Sequence, residues 1–170
     1  MSLDVLKQNL GLGYRGNKFV ASFAPKGASL DGNVISALCK VASLPSKTIG
    51  SVEVHSQGHK MTLAGEAQFE GTYSMTFWNT PNLNIRSVII DWMDIIDSVQ
   101  TGERSVTQND DYMSFLEIKP LDTSSNEVIE VYTFKNAFPT ELAEVALDTS
   151  SVDEITEQEV TFAYSHWVKS

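Results

Sequence analysis

Glu70-Gly71-Thr72-Tyr73-Ser74-Met75-Thr76-Phe77-Trp78 alternates strictly, with Tyr73, Met75 and Phe77 on one side and Thr72, Ser74, Thr76 and Trp78 on the other. That period of two belongs to a strand with one buried face. The period then changes. From Ile85 to Val99 the apolar residues Ile85, Val88, Ile89, Trp92, Met93, Ile96 and Val99 follow i, i+3, i+4, i+7, i+8, i+11, i+14, which predicts an α-helix. Asp91, Asp94, Asp97 and Ser87 fill its polar side, and Ile90 lies off the apolar stripe, where a subunit contact would use it. Thr80-Pro81-Asn82 signals its start and Gly102 its end.

Strand signals surround this helix. Phe19–Phe23 closes at Pro25 and Gly27, and the apolar run Val34–Leu44 stops at Pro45. Ile49–His55 alternates, turns at Gln57-Gly58 and returns through Met61–Ala64. Tyr112–Ile118 and Val128–Phe134 are joined by the turn-rich Asp122-Thr123-Ser124-Ser125-Asn126. Pro139 and Asp148-Thr149-Ser150-Ser151 punctuate the C-terminal stretch, and Val160–Trp167 reads as one closing strand. About eight strands around one helix predict a mainly β fold, a β-sandwich or partly closed barrel with the helix packed against it.

At 170 residues the chain suits one domain that buries roughly two thirds of its unfolded surface. Ahead of it, Ser2 is placed to cap a short helix, Leu3–Leu10, that stops at Gly11. Residues 1–16 thus form an arm, a short helix plus a glycine-rich segment, and 17–170 the β domain. The arm reads equally as an extension that docks on a neighbour or as a frayed terminus.

Twelve Lys and Arg against 22 Asp and Glu leave a net charge of −10. Gripping a nucleic acid requires clustered cations, which the chain lacks. Acidity suits a protein that meets DNA without holding it, and equally one that is merely soluble. Cys39, the sole cysteine, excludes an internal disulfide and lies in an apolar run, as an inert buried thiol does. Met1-Ser2-Leu3-Asp4 has no basic region leading a long apolar one, so no signal peptide is expected. No apolar stretch reaches membrane-spanning length, and no membrane insertion is expected.

Catalytic and cofactor patterns fail on context. Gly11-Leu12-Gly13-Tyr14-Arg15-Gly16 matches G-x-G-x-x-G, but a predicted helix precedes it and a strand comes after, the reverse of a dinucleotide site. His55 and His59 flank a turn with no third ligand signalled, so no metal site is expected. Asp91, Asp94 and Asp97 line a polar helix face, where solvation explains them without acid–base work. Asn109-Asp110-Asp111 lacks the spacing of a calcium loop. The expectation is no enzyme, no cofactor and no metal.

Three stretches carry a resemblance. Ala42-Ser43-Leu44-Pro45 leads into the 49–65 hairpin, which ends Met61-Thr62-Leu63-Ala64-Gly65; Ile90-Asp91-Trp92 lies in the helix. Phe138-Pro139-Thr140 precedes Leu147–Ile155, then Glu159–Tyr164 and Trp167. In this order and spacing they resemble the tail tube proteins of contractile-tailed, T-even-type bacteriophages, over most of the chain from Phe19 onward. Residues 100–111 and the arm match poorly. The resemblance implies a β-sandwich subunit that forms hexameric rings, whose strands join into an inner barrel and whose rings stack inside a contractile sheath. Its implied partners are its own copies, the sheath, baseplate and neck proteins, the tape measure protein and double-stranded DNA passing through unbound. The implied place is the virion tail, assembled in the host bacterial cytoplasm. A tube initiator or terminator, or a tube subunit of a type VI secretion machine or phage-derived particle, shares these features. The alternative from another class is a small-molecule-binding barrel, monomeric and with an apolar interior pocket.

On that reading Glu53, Thr62, Glu117 and Glu130 are the expected lumen-facing residues, with outer solvent as the alternative. Leu3, Leu6, Pro45, Ile49 and Ile90 are the expected subunit contacts, with the arm and the loop 45–51 reaching between rings.

Overall fold

The computed structural model describes residues 3–10, 13–97, 109–151 and 153–170, and for Leu6 and Asn109 the backbone alone. The Ser2 cap, the Gly11 stop, the Val99 and Gly102 end signals and the Leu6 side chain lie outside these. The elements are α1 (Leu3–Leu10), β1 (Phe19–Phe23), α2 (Gly32–Leu38), β2 (Cys39–Val41), β3 (Thr48–Ser56), β4 (His59–Gln68), β5 (Thr72–Trp78), α3 (Asn84–Ile96), β6 (Ser114–Pro120), β7 (Tyr132–Leu142), β8 (Glu157–Ala163) and β9 (His166–Lys169).

Seven strands form one antiparallel sheet in the order β1-β6-β7-β8-β5-β2, with β9 also on β7. Among the described residues β3 and β4 pair only with each other. The alternation in β5 buries Tyr73, Met75 and Phe77, as its spacing predicts. The sheet curls around α3, whose Ile85, Val88, Ile89 and Trp92 are buried. Trp92 stacks on Phe23 at 6.1 Å and lies 6.2 Å from Phe162, centroid to centroid. Its indole Nε1 donates to Tyr112 O at 2.7 Å, so burial leaves no donor unpaired.

Three strand assignments are corrected. The run Val34–Leu44 is not a strand: Asp31 accepts from the Asn33 amide and caps helix α2, which buries Ile35. Only Cys39–Val41 is extended. The second strand of the 112–134 pair begins at Tyr132 and continues through Pro139, where a register shift accommodates the missing amide. Before it, Val128 bridges to Leu121, and Val131 exchanges backbone hydrogen bonds with Ser170 at 3.0 and 2.9 Å. The closing strand is two strands that share one register along β7 (Phe138 opposite Ala163, Lys135 opposite His166), broken at Tyr164-Ser165. Asn136, opposite the break, has a φ of +55°, a conformation Asn tolerates better than most residues. That kink lets β7 join both halves of the curled sheet.

Candidate assembly surface

The β3–β4 hairpin turns through Gln57 and Gly58 with φ of +47° and +78°, the primed geometry that matches strand twist. Near its base the register shifts between Ile49 and Ser51. There a Cβ on Gly65 would stand 3.0 Å from the Gly50 carbonyl, so the strands cross where side chains have no room. Cross-strand partners then sort the hairpin into two faces. Val52 opposes Leu63 and Val54 opposes Met61, while Ser51, Glu53 and His55 oppose Ala64, Thr62 and Lys60. The alternation suggested one face on the core. Instead Val52, Val54, Met61 and Leu63 are 42–57% exposed. They form an apolar ribbon that this copy does not cover. An isolated two-stranded ribbon is marginal in water, and an exposed apolar face on one is unusual for a chain that stands alone.

The predicted lumen residues fall in two places. Glu53 and Thr62 are direct partners on the polar hairpin face, and Lys60 sits 2.5 Å from Glu53. Glu117 is on β6, on the side away from the core, 2.7 Å from Lys119. Glu130 precedes β7, pairs with Lys169 and accepts the Tyr132 hydroxyl. The Lys169 hydrogen bond first, then that of Tyr132, holds the Glu130 carboxyl below the usual range. Glu130 in turn raises both Tyr132 and Lys169. Each glutamate thus has a lysine beside it, a pairing the sequence did not reveal.

The predicted contacts scatter. Leu3 on α1 is 71% exposed, Ile49 at the hairpin base 54% and Ile90 on α3 40%. Pro45 lines a recess with Tyr73 and Tyr164. His55 and His59 stand on opposite hairpin faces, since they are four apart across a two-residue turn. Asp91, Asp94 and Asp97 are exposed along α3. Burial pushes the Cys39 thiol up to about 12.

Sequence reasoning missed the loop at residues 143–156. Ala143 O accepts from Arg86 Nη1 (3.1 Å) and from Gln158 Nε2 (2.7 Å), and Gln158 Oε1 accepts from Arg86 at 2.7 Å. At the other end the Asn79 amide donates to Thr156 O at 3.0 Å. The base is clamped, and between the clamps Leu147 is 91% and Ile155 63% exposed. The available signal was an apolar residue beside the Asp148-Thr149-Ser150-Ser151 turn.

A sheet curled on one helix, open at its margins and carrying an unpartnered apolar hairpin, defines a β-structural subunit rather than a closed binding barrel. The family described as phage tail tube protein matches residues 11–170, and the chain belongs to it. Its relatives include the tail tube protein gp19 of Enterobacteria phage T4, 26% identical over 129 residues covering 76% of this chain and 78% of that one. The tail tube protein of Serratia phage KSP90 is 26% identical over 120 residues, 71% of this chain and 66% of the other. The fold is similar to a chain of the sheath–tube complex of an extracellular contractile injection system in its extended state, with TM-score 0.64, 15% identity, and 100% and 98% of the two chains covered. It is also similar to the tube-terminating cap of the anti-feeding prophage, with TM-score 0.61, 16% identity, and 92% and 90% covered. The chain is a structural protein of the inner tail tube, and its place is the virion tail.

Proposed function

We propose that the chain builds the tube as stacked hexameric rings, a non-catalytic conduit for double-stranded DNA inside a contractile sheath. The observation that carries this reading is the uncovered apolar face of the β3–β4 hairpin, with its polar face directly behind it. A neighbouring copy that covers Val52, Val54, Met61 and Leu63 leaves Glu53 and Thr62 toward the bore. It also removes the hairpin's free edges, which otherwise invite aggregation. Glu117 and Glu130 are proposed for the same lumen. With Lys60, Lys119 and Lys169 beside these glutamates, the bore is polar and mixed in sign rather than uniformly acidic. It offers phosphates no basic cluster to bind.

Leu3, Leu6, Pro45, Ile49 and Ile90 remain the proposed contacts, and residues 1–16 an arm distinct from the domain at 17–170. Sheath, baseplate, neck and tape measure proteins are the proposed partners, with assembly in the host cytoplasm. The sheath–tube, tube-terminator and baseplate assemblies that contain similar folds support the first two. A tube terminator is the second reading, because the terminator chain matches the fold about as well, with TM-score 0.63. Negative-stain microscopy of the purified chain separates them. Long tubes of constant bore are expected; rings that never stack favour the terminator, and monomers at all concentrations overturn both.

A further inference from the structure

The molecule carries unlike, unsatisfied surfaces at the two ends of β7. At the first end, beside Tyr132, lies the N-terminal segment: Leu10, Gly13 and Tyr14 share a recess with Asp122, Thr123, Ser124 and Ile129. Leu3, Val5, Leu10 and Tyr14 are 49–71% exposed. Lys7 and Arg15 are exposed and make no ion pair among the described residues. At the far end, beyond Leu142, the clamped 143–156 loop bounds an open recess of about 660 Å³. Leu147 and Ile155 line it with Glu144, Asp148 and Glu154. From residue 136 to 168 the chain contains no Lys or Arg but holds Glu141, Glu144, Asp148, Asp153, Glu154, Glu157 and Glu159. Glu144, Asp148, Asp153 and Glu154 make no ion pair among the described residues.

From these two surfaces we infer that the N-terminal segment of one copy docks on the acidic 143–156 loop of a second copy, and that this contact joins ring to ring. This rests on the tube reading above. The first surface is apolar and offers Lys7 and Arg15, with Asp4 and Asp122 nearby; the second is apolar and carries acids without a base, so the two cations of one can meet the carboxylates of the other. Within one copy they lie at opposite ends of the eleven-residue β7, up to roughly 35 Å apart along the strand. A contact between unlike ends repeats without closing on itself along the strand axis, which is how a stack grows. Within the loop, Asp148 Oδ1 accepts from the Ser150 amide and hydroxyl at 2.9 and 2.7 Å, which sets that turn before docking.

The test uses two full-length variants, Lys7→Glu with Arg15→Glu, and Glu144→Lys with Asp153→Lys, each matched to wild type by circular dichroism and melting temperature. Each alone should need roughly tenfold more protein to form tubes. Their equimolar mixture should form tubes at the wild-type concentration, since each copy then meets an opposite charge above and below. Failure of the mixture to recover, or unchanged stacking by either variant, overturns the contact. Normal stacking with lost sheath binding overturns it too and gives the loop to the sheath. Variants that still form rings leave the tube reading intact, whereas a wild type that stays monomeric removes both.

Discussion

Val52 and Leu63 face each other across β3 and β4, and each is about half exposed, at 53% and 48%. Cross-strand apolar pairs on β5 and β8 are covered instead. Tyr73 opposite Phe162 and Met75 opposite Val160 are all buried. The contrast separates the part of the molecule that buries its own apolar face from the part that is covered only on the proposed reading, by a neighbour.

Val52→Thr with Leu63→Thr is expected to shift the monomer's stability by under about 1 kcal/mol, because little apolar area is lost from its own interior. Ring formation should be lost. Urea unfolding checks the first expectation and sedimentation velocity the second; a large stability loss would mean the hairpin packs on its own copy.

Trp92 sits at the opposite extreme, fully buried. Trp92→Ala should cost about 3–5 kcal/mol through the cavity left against Phe23 and Phe162. Trp92→Phe keeps part of that packing but removes the Nε1–H that donates to Tyr112 O, and should cost about 1–3 kcal/mol. Urea unfolding of each variant against wild type measures both.

Cys39 titrates near 12 in the fold, above its ordinary value, because burial disfavours the thiolate. A group whose pKa rises on folding stabilises the fold fully below its unfolded value. That contribution is lost as pH climbs from about 9 through 12. Ellman's reagent at pH 8 should therefore label the native chain far more slowly than the urea-unfolded one. Equal rates would show the thiol to be open.

Asp122 accepts from the amides and hydroxyls of both Ser124 and Ser125 at 2.5–3.1 Å, led by the Ser124 hydroxyl, and its carboxyl is held well below the usual range. Its pKa falls on folding, so the ordering it confers is present above the unfolded value near 4 and is lost as pH drops through the folded one. Asp122→Asn should speed amide exchange at Ser124 and Ser125 at neutral pH while leaving the core strands protected.

Local chemistry carried a large part of this fold into the sequence. The switch from a period of two in Thr72–Trp78 to one of 3.6 from Ile85, and the Gln57-Gly58 turn, depend on neighbours within a few residues. Both were readable. Order and spacing along the chain likewise carried the family resemblance that the comparisons bear out. Asp31 as the cap of α2 was also local, but the apolar run after it suits a strand as well as a helix. Pro139 read as a stop, because nothing short-range says that the strand bends there and joins both halves of a curled sheet.

The alternation of 49–64 determined which side chains share a face, since successive residues of a strand point to opposite sides whatever surrounds them. It could not determine what covers that face, because burial depends on elements distant in sequence. Only the tertiary structure placed Val52, Val54, Met61 and Leu63 in the open. In the same way, composition established an excess of carboxylates, and folding decided where it counts. Glu53, Glu117 and Glu130 acquired lysine neighbours, while those of the 143–156 loop stayed unpaired among the described residues, at the end of β7 away from Lys7 and Arg15. Charge is a sum over the sequence, but its field depends on which charges the fold brings within a few ångströms of each other.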